Sequence, residues 1–438
     1  MTQARPIAFL NATLVDPEKE SEDTGALLIK DGLIADQGPR LFSDALPPDA
    51  VVLDTQGLIL APGLVDSRVF TGEPGSEHRE TLSSASEAAV SGGVTAMVVM
   101  PNTEPVIDDV ALVDFLLRRA RDTAKTYVYP MAALTKGLKG ESMTEMGLLA
   151  EAGAVGFTQG LGAVANAQIL RRAMTYARDF DLLVETFPAE PTMTGQMNAG
   201  EMATRLGLSG LPVAAEAIAV DRDLRLAELT GARVHISPIS CAESVQAIAR
   251  AKKKGLPVTC ATTAAHLGLN EHDIGTYLTF RKLMPPLRSE MDRLALIEGV
   301  ADGTVDIITS GHDPQPPENK RLPFAQAAFG GTGLETLLAA SLSLARNGSV
   351  SLPALFARLT LNPARLFRLP GGRLTKGAPA DLVLFDADKP WVVNRDISLS
   401  RSKNEPFDGQ RLQGRVIKTI VGGHIVYDAL DHARATLP

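Results

Sequence analysis

Short apolar segments rich in β-branched residues recur along the middle of the chain, and most are followed by a Gly, Pro or polar stretch. Continuous apolar runs of this length are typical of strands buried on both faces, as in a parallel sheet. The pattern predicts eight strands, at residues 64–70, 95–101, 126–134, 154–158, 182–187, 233–237, 257–262 and 305–311.

Segments with apolar residues at helical spacing separate most of these strands. The segment 108–124 begins with two acids and carries its arginines near the end, which complements the helix dipole. Five further helices are predicted, at residues 84–93, 166–180, 215–231, 242–255 and 290–303. Eight buried strands that alternate with helices predict an α/β fold of the (β/α)8, or TIM-barrel, type. In such barrels the working residues lie at the carboxyl ends of the strands.

Both ends of the chain have a different pattern. They contain short alternating or β-branched runs broken by Asp-Gly and Gly-Gly, which are typical of β-hairpins. We therefore predict a composite small β-domain of the sandwich type from residues 1–58 and 376–438, with the barrel at residues 59–375. The Pro/Gly-rich segment 312–331 follows the eighth strand, and a loop of that length is often functional.

Composition narrows the function classes. The 438 residues are 45% hydrophobic and 21% charged, with a net charge of -8. An acidic chain argues against a general nucleic-acid or anionic-membrane surface. No apolar run reaches the roughly 18 residues of a membrane span, and the N-terminus lacks the pattern of a signal peptide. With only two cysteines, no disulfide framework is expected, so we predict a cytoplasmic protein.

Several long motifs, which occur in order across the chain, carry a family resemblance. They include "APGLVDSRVFTGEPGSEHRET", "GGVTAMVVMPNTEPVID", "MPPLRS" and "ENKRLPFAQAAFGGTGLETLL". Together they resemble dihydroorotase of the amidohydrolase superfamily. The resemblance implies a barrel that holds zinc at its mouth, because ring opening of a cyclic amide needs a metal-bound hydroxide and a polarised carbonyl. It also implies a small β-domain made from both chain ends, which agrees with the pattern above.

The metal-ligand positions that the resemblance implies carry other residues. The first strand of the family ends in Asp-x-His-x-His, whereas this chain has Asp66 followed by Arg68 and Phe70. The bridging Asp falls at Gln159 or Gly160. The substituted ligand positions are Arg68, Phe70, Gln159, Phe187, Pro238 and Gly311. Zinc needs His, Cys or carboxylate ligands, so we predict that this chain binds no zinc and has no other cofactor.

The positions that contact substrate in the family are changed as well. The resemblance places the carboxylate-binding Arg at Gly72, an Asn at Met284 and a second His at Gln315. Asn102 is kept, either as a substrate-pocket remnant or as a residue that holds the turn before Pro105.

Arg68 is the one charged replacement. A guanidinium at the barrel mouth needs an anion, and Asp66, Glu185 and Asp313 are the candidates. A bound anionic metabolite, contacted by Arg68 and Asn102, is the alternative.

A catalytic alternative stays open. His312 and Asp313 are weak catalytic candidates at the end of the eighth strand, and with His235 they form the one conceivable relocated metal site. That site belongs to the hypothesis of an active dihydroorotase or related cyclic-amide hydrolase.

The leading hypothesis is a dihydroorotase-like protein without catalytic activity. The chain resembles family members that have lost the metal site and act as structural partners of the aspartate transcarbamoylase catalytic chain in pyrimidine biosynthesis. That resemblance also leads us to expect a homodimer.

Overall fold

The computed structural model describes residues 5–43 and 45–430. Its strands are β1 Ile7–Asp16, β2 Ser21–Lys30, β3 Leu33–Gly38, β4 Val51–Asp54, β5 Ile59–Pro62, β6 Leu64–Val69, β7 Val94–Val99, β8 Tyr127–Pro130, β9 Ala132–Ala133, β10 Phe157–Thr158, β11 Leu183–Thr186, β12 Met197–Asn198, β13 Gly210–Leu211, β14 Arg233–Ile236, β15 Val258–Thr263, β16 Ile307–Thr309, β17 Leu382–Val392, β18 Arg411–Val421 and β19 His424–Asp428. Its α-helices are α1 Leu82–Ser91, α2 Val110–Thr123, α3 Met146–Glu151, α4 Ala167–Asp179, α5 Glu201–Leu206, α6 Val213–Thr230, α7 Ala242–Lys253, α8 Ala264–Gly268, α9 Glu290–Asp302, α10 Pro317–Lys320, α11 Leu337–Arg346, α12 Leu352–Phe356 and α13 Asn362–Leu366.

Parallel strands form the predicted barrel. Strands β6, β7 and β8 pair in that order, and β9, β10, β11, β14, β15 and β16 continue around the ring. The ring closes between the first and last strands, where the Phe70 N–H donates to the His312 carbonyl over 2.9 Å. The (β/α)8 prediction is therefore confirmed, and the carboxyl ends of all the barrel strands meet at one mouth.

Several of the predicted strands are shorter than their apolar runs, and the eighth is reduced to Ile307–Thr309. The run 126–134 is divided at Met131 into β8 and β9, and the run 154–158 contributes only Phe157 and Thr158 to pairing. Met131 still belongs to the ring, because its N–H donates to the Val99 carbonyl over 2.9 Å. An apolar run predicts burial, and here the burial extends beyond the paired residues.

The helices form where their sequences predicted them, and local signals explain their ends. The Asn166 side chain accepts from the Gln168 backbone N–H over 2.9 Å and so caps α4. Helix α9 has Ser289 as its cap and ends at Gly303, which has a positive φ. The sequence pattern did not predict α11 or the six shortest helices, which are α3, α5, α8, α10, α12 and α13. The short helices span too few residues to show a helical repeat, and most positions of α11 are apolar and buried.

The two chain ends build one small β-sandwich domain, as predicted. Strand β17 pairs with β5 in antiparallel register, with Leu384 opposite Leu60, and this pairing joins the C-terminal strands to the N-terminal ones. The order of the sheet is β19-β18-β17-β5-β1-β2-β3, with β4 beside β1. The sheet therefore extends slightly past the predicted boundary at residue 58, and the chain enters the barrel through Gly63.

Aromatic packing connects the two domains. Phe356 of α12 and Phe385 of β17 stack with ring centroids 5.6 Å apart and are both fully buried. The two cysteines, Cys241 and Cys260, are free and buried. Within residues 5–43 and 45–430, the structure contains no helix with the length and apolarity needed to cross a bilayer.

The stack predicts a large cost for removing one ring. Phe385→Ala should lower the free energy of unfolding by about 3–5 kcal/mol, because it leaves a cavity in the junction between the domains. Phe115→Ala is the matched control, since Phe115 lies on α2 with 46% of its surface exposed. Denaturant unfolding followed by circular dichroism measures both. Equal losses for the two variants would contradict the packing described here.

Candidate functional site

The barrel mouth brings most of the predicted site residues around one small cavity of about 50 Å³. Its walls include Arg68, Phe70, Asn102, Pro238, Gly311, His312 and Asp313. Gln159 and Phe187 lie instead at a second space of about 10 Å³, which is also lined by Leu170 of α4 and Arg222 of α6. Pockets for small organic ligands are typically about 300–1,000 Å³, so little room for a substrate is left at the mouth.

Arg68 lies at the centre of the mouth and is buried. Its guanidinium contacts the Glu185 carboxylate from β11 in a salt bridge and donates to the Gly160 carbonyl over 2.8 Å. It also stacks on the Phe187 ring, with 5.4 Å between the guanidinium carbon and the ring centroid. Of the three predicted anions, Glu185 is therefore the partner. Burial raises the pKa of Glu185, and the neighbouring guanidinium opposes that rise.

A second arginine covers the mouth from outside. Arg79 donates to Asp313 over 2.7 Å and to the Pro314 carbonyl over 3.0 Å, and its guanidinium lies 4.1 Å from the Phe70 ring centroid. Asp313 is thus engaged in a salt bridge. The sequence analysis missed Arg79, although its place in the loop after the first strand was a usable signal. Each phenylalanine that stands at a family histidine position carries an arginine over its ring.

His312 is held from two sides. Its Nδ1 accepts from the Gly333 N–H over 3.3 Å, and its Nε2 lies 3.5 Å from Glu80, which is also fully buried. Burial acts to raise the pKa of Glu80, but the imidazole and two serine hydroxyls hold that pKa below its ordinary value. The Ser400 hydroxyl and the Arg401 N–H donate to the same carboxylate. Glu80 therefore ties the mouth to the segment before the small domain's last strands.

Two glycines show how closely the backbone has adapted to these replacements. Gly72 has φ +70°, and a Cβ there would approach the Glu80 carbonyl oxygen to 2.4 Å. Gly311 has φ +63°, and its Cβ would meet the Thr263 methyl at 2.8 Å. A side chain at either position would be strained and crowded. The backbone therefore does not accept the Arg or the Asp that the family resemblance places at residues 72 and 311.

The relocated metal site does not form. The His235 Nδ1 is 2.8 Å from the Thr259 hydroxyl, and burial, with Arg68 nearby, lowers the pKa of His235 to about 3. Asp313 is paired with Arg79, as described above. In the part of the chain that the structure describes, no three His, Cys, Asp or Glu side chains are placed to hold one metal ion. The residues of this mouth do not fit a zinc centre.

Asn102 keeps an unsatisfied atom. It lines the mouth cavity, and its Oδ1 is buried without a hydrogen-bond partner. The turn before Pro105 is held instead by Thr103, whose hydroxyl donates to the Pro105 carbonyl over 2.8 Å. The structure thus gives the turn-holding role to Thr103 and leaves Asn102 as a polar remnant at the mouth.

Comparisons with known proteins agree with this architecture. Residues 57–244 match the family model described as dihydro-orotase-like, and residues 303–427 match the amidohydrolase family model. L-Hydantoinase from Arthrobacter aurescens has a TM-score of 0.88 at 25% identity, covering 97% of this chain and 96% of that one. Dihydropyrimidinase from Brevibacillus agri has a TM-score of 0.84 at 21% identity, covering 97% and 95%. The fold is therefore that of an amidohydrolase.

Sequence relatives identify the family within this class. The dihydroorotase of Desulforapulum autotrophicum is 43% identical over 425 residues, which cover 96% of this chain and 99% of that protein. The dihydroorotase of Ehrlichia canis is 39% identical over 428 residues, which cover 97% and 95%. The chain belongs to the dihydroorotase family.

The buried pair at the mouth predicts strong coupling between its members. Arg68→Met should lower the free energy of unfolding by about 3 kcal/mol, because it leaves Glu185 buried without a partner. The double variant Arg68→Met/Glu185→Leu should recover most of that loss, since it removes both charges. Arg118→Met, in an exposed pair with Asp114, is the control and should cost less than about 1 kcal/mol. Additive losses in the double variant would contradict the pairing.

Glu405, in the segment next to the mouth, predicts a pH dependence. It is fully buried, and burial raises its pKa to about 8. Its oxygens accept from the Phe407 N–H and the Thr336 and Thr332 hydroxyls, none of which is a cation. The folded state binds the proton of the Glu405 carboxyl more tightly than the unfolded state does. The stability that the protonated carboxyl contributes is therefore lost as the pH rises through about 8.

Between pH 5 and pH 8, wild type should lose about 3 kcal/mol more stability than Glu405→Gln. Denaturant unfolding at several pH values measures the difference. Glu151→Gln, on the exposed side of α3, is the control and should follow the wild-type profile. Parallel profiles for wild type and Glu405→Gln would show that the carboxyl is ionised in the fold.

Proposed function

We propose that this chain is a catalytically inactive dihydroorotase-like protein that supports pyrimidine biosynthesis as a structural partner of aspartate transcarbamoylase. The observation that carries the proposal is the buried contact of Arg68 with Glu185 and Phe187. A cation from the protein itself lies where the resemblance places the metal ligands. Ring opening or closure of a cyclic amide then lacks both the hydroxide and the Lewis acid that zinc would supply.

The partner is proposed from the family alone. Members that resemble this chain in losing the metal ligands act with aspartate transcarbamoylase, and a barrel without chemistry retains its outer helices and loops as contact surfaces. We propose that the chain also forms a homodimer and works in the cytoplasm. In this role the chain needs the shape and stability of the barrel, but no chemistry at the barrel mouth.

The names of the relatives favour one alternative, an active dihydroorotase with an atypical site. Two features argue against this alternative. The side chains of Asp313 and Arg68 are already paired, and the backbone at Gly72 and Gly311 leaves no place for the carboxylate-binding Arg and the Asp ligand of the family. The third hypothesis, a binder of an anionic metabolite, has less support, because the Glu185 carboxylate already neutralises the charge of Arg68.

Metal content and turnover test the loss of chemistry. Protein purified without chelator should contain no stoichiometric zinc, and it should neither close carbamoyl aspartate nor open dihydroorotate when zinc is added. The D. autotrophicum relative, prepared and assayed in parallel, is the control for both measurements. One or two zinc ions per chain, or turnover abolished by His312→Ala or Asp313→Ala, would establish the active alternative.

Co-purification tests the partnership. Tagged chain expressed with the aspartate transcarbamoylase catalytic chain of the same organism should elute as one complex of fixed stoichiometry. Transferase activity should be present in that complex, and dihydroorotase activity should be absent. The D. autotrophicum relative with the same tag serves as the specificity control. Separate elution of the two chains at micromolar concentration would refute the partnership without affecting the conclusion about metal.

A further inference from the structure

A second cavity of the described structure lies away from the barrel mouth. A cavity of about 500 Å³ lies where α11 of the barrel faces β17, β18 and the segment 393–399 of the small domain. This volume is in the range of about 300–1,000 Å³ that is typical of small-molecule sites, which often lie at domain junctions. The mouth, at about 50 Å³, is far below that range.

The walls of this junction cavity combine apolar and aromatic groups. Leu338 and Ala339 of α11 face Val393 and Val416 across it. Trp391 adds an indole whose Nε1 already donates to the Gly414 carbonyl over 3.0 Å, so the ring offers its surface rather than its donor. Such walls favour a ligand with a flat, largely apolar body.

Three carboxylates, from Glu335, Asp396 and Glu405, and two guanidiniums, from Arg395 and Arg415, line the cavity. Each carboxylate already has hydrogen-bond or ionic partners. Arg395 lies 3.6 Å from Asp408 and 3.8 Å from Asp396, so its charge is balanced. Glu335 accepts from the Ser398 hydroxyl and from the Leu399 N–H over 2.9 Å.

Arg415 differs from these groups. Its guanidinium lies 4.6 Å from the Trp391 ring centroid, and it has no salt bridge to any carboxylate among residues 5–43 and 45–430. An arginine that is stacked on an indole and lacks an acidic partner presents a fixed fork of donors to a ligand.

We propose that the junction cavity binds a flat organic anion, with its ring against Trp391 and the apolar wall and its negative group paired with Arg415. The ligand class is an aromatic or heterocyclic carboxylate or sulfonate with a single negative charge. This site is separate from the barrel mouth and does not depend on whether the mouth binds metal.

The chain offers an internal probe, because Trp391 is its only tryptophan. The test uses 8-anilinonaphthalene-1-sulfonate, a flat aromatic anion that accepts excitation energy from tryptophan. Saturable binding of one probe per chain should appear as energy transfer from Trp391. Trp391→Phe should abolish the transfer, which shows that the signal comes from this ring.

Arg415→Gln should weaken probe binding by about tenfold, as expected for the loss of a charge-assisted contact. Arg411→Gln is the matched control, because Arg411 is an exposed residue of the same strand that does not line the cavity. Both variants should unfold at the wild-type denaturant midpoint. Equal affinity for Arg415→Gln and wild type, or probe binding without energy transfer from Trp391, would overturn the proposal.

Discussion

The salt bridge between Arg68 and Glu185 is the constraint on which the rest of the barrel mouth depends. A closed parallel barrel directs the ends of all its strands to one point, and any inward polar group there is removed from water. An unpaired buried carboxylate or guanidinium costs several kcal/mol, so the two charges must meet each other or a ligand. Here they meet each other, with the Gly160 carbonyl as a further acceptor. The two charges at the centre of the mouth thereby neutralise each other.

The surrounding replacements follow from that choice. Once a guanidinium occupies the centre, neighbouring positions gain more from aromatic rings than from imidazoles, because a ring face attracts a cation and needs no hydrogen-bond partner. The Phe187 ring contacts the Arg68 guanidinium in this way, and the Phe70 ring contacts that of Arg79. The backbone at Gly72 and Gly311 has a positive φ that most side chains avoid. The main chain is therefore adapted to glycine at residue 311, where the resemblance places a metal ligand, and at residue 72, where it places the carboxylate-binding Arg.

The sequence predicted the barrel and the composite β-domain because both depend on local periodicity, which each strand and helix shows by itself. It also predicted the loss of ligands, because the motifs around Asp66 and Asn102 fix the alignment. It narrowed the partner of Arg68 to three acids without choosing Glu185. That choice, like the contact of Arg79 with Asp313 across more than two hundred residues, depends on how distant strand ends register in space. The sequence did not predict the short pairing of β10 either, because that pairing also depends on the register of neighbouring strands.

In a protein of this fold, stability and catalysis depend on overlapping but different sets of residues. Stability comes from the strand ring, its helices and the Phe356–Phe385 contact with the small domain. The metal-ligand positions 68 and 70 contribute as well, through the Arg68–Glu185 salt bridge and the ring closure at Phe70. Catalysis depends on a few strand-end residues, and those can change without loss of the fold provided that each buried charge has a partner. At the mouth, Arg68 is paired with Glu185 and Asp313 with Arg79. At the junction cavity near Trp391, the half-buried Arg415 has no carboxylate partner among the described residues. The junction therefore has both the room and an unpaired cation for a ligand, whereas the charged groups named at the mouth are already paired.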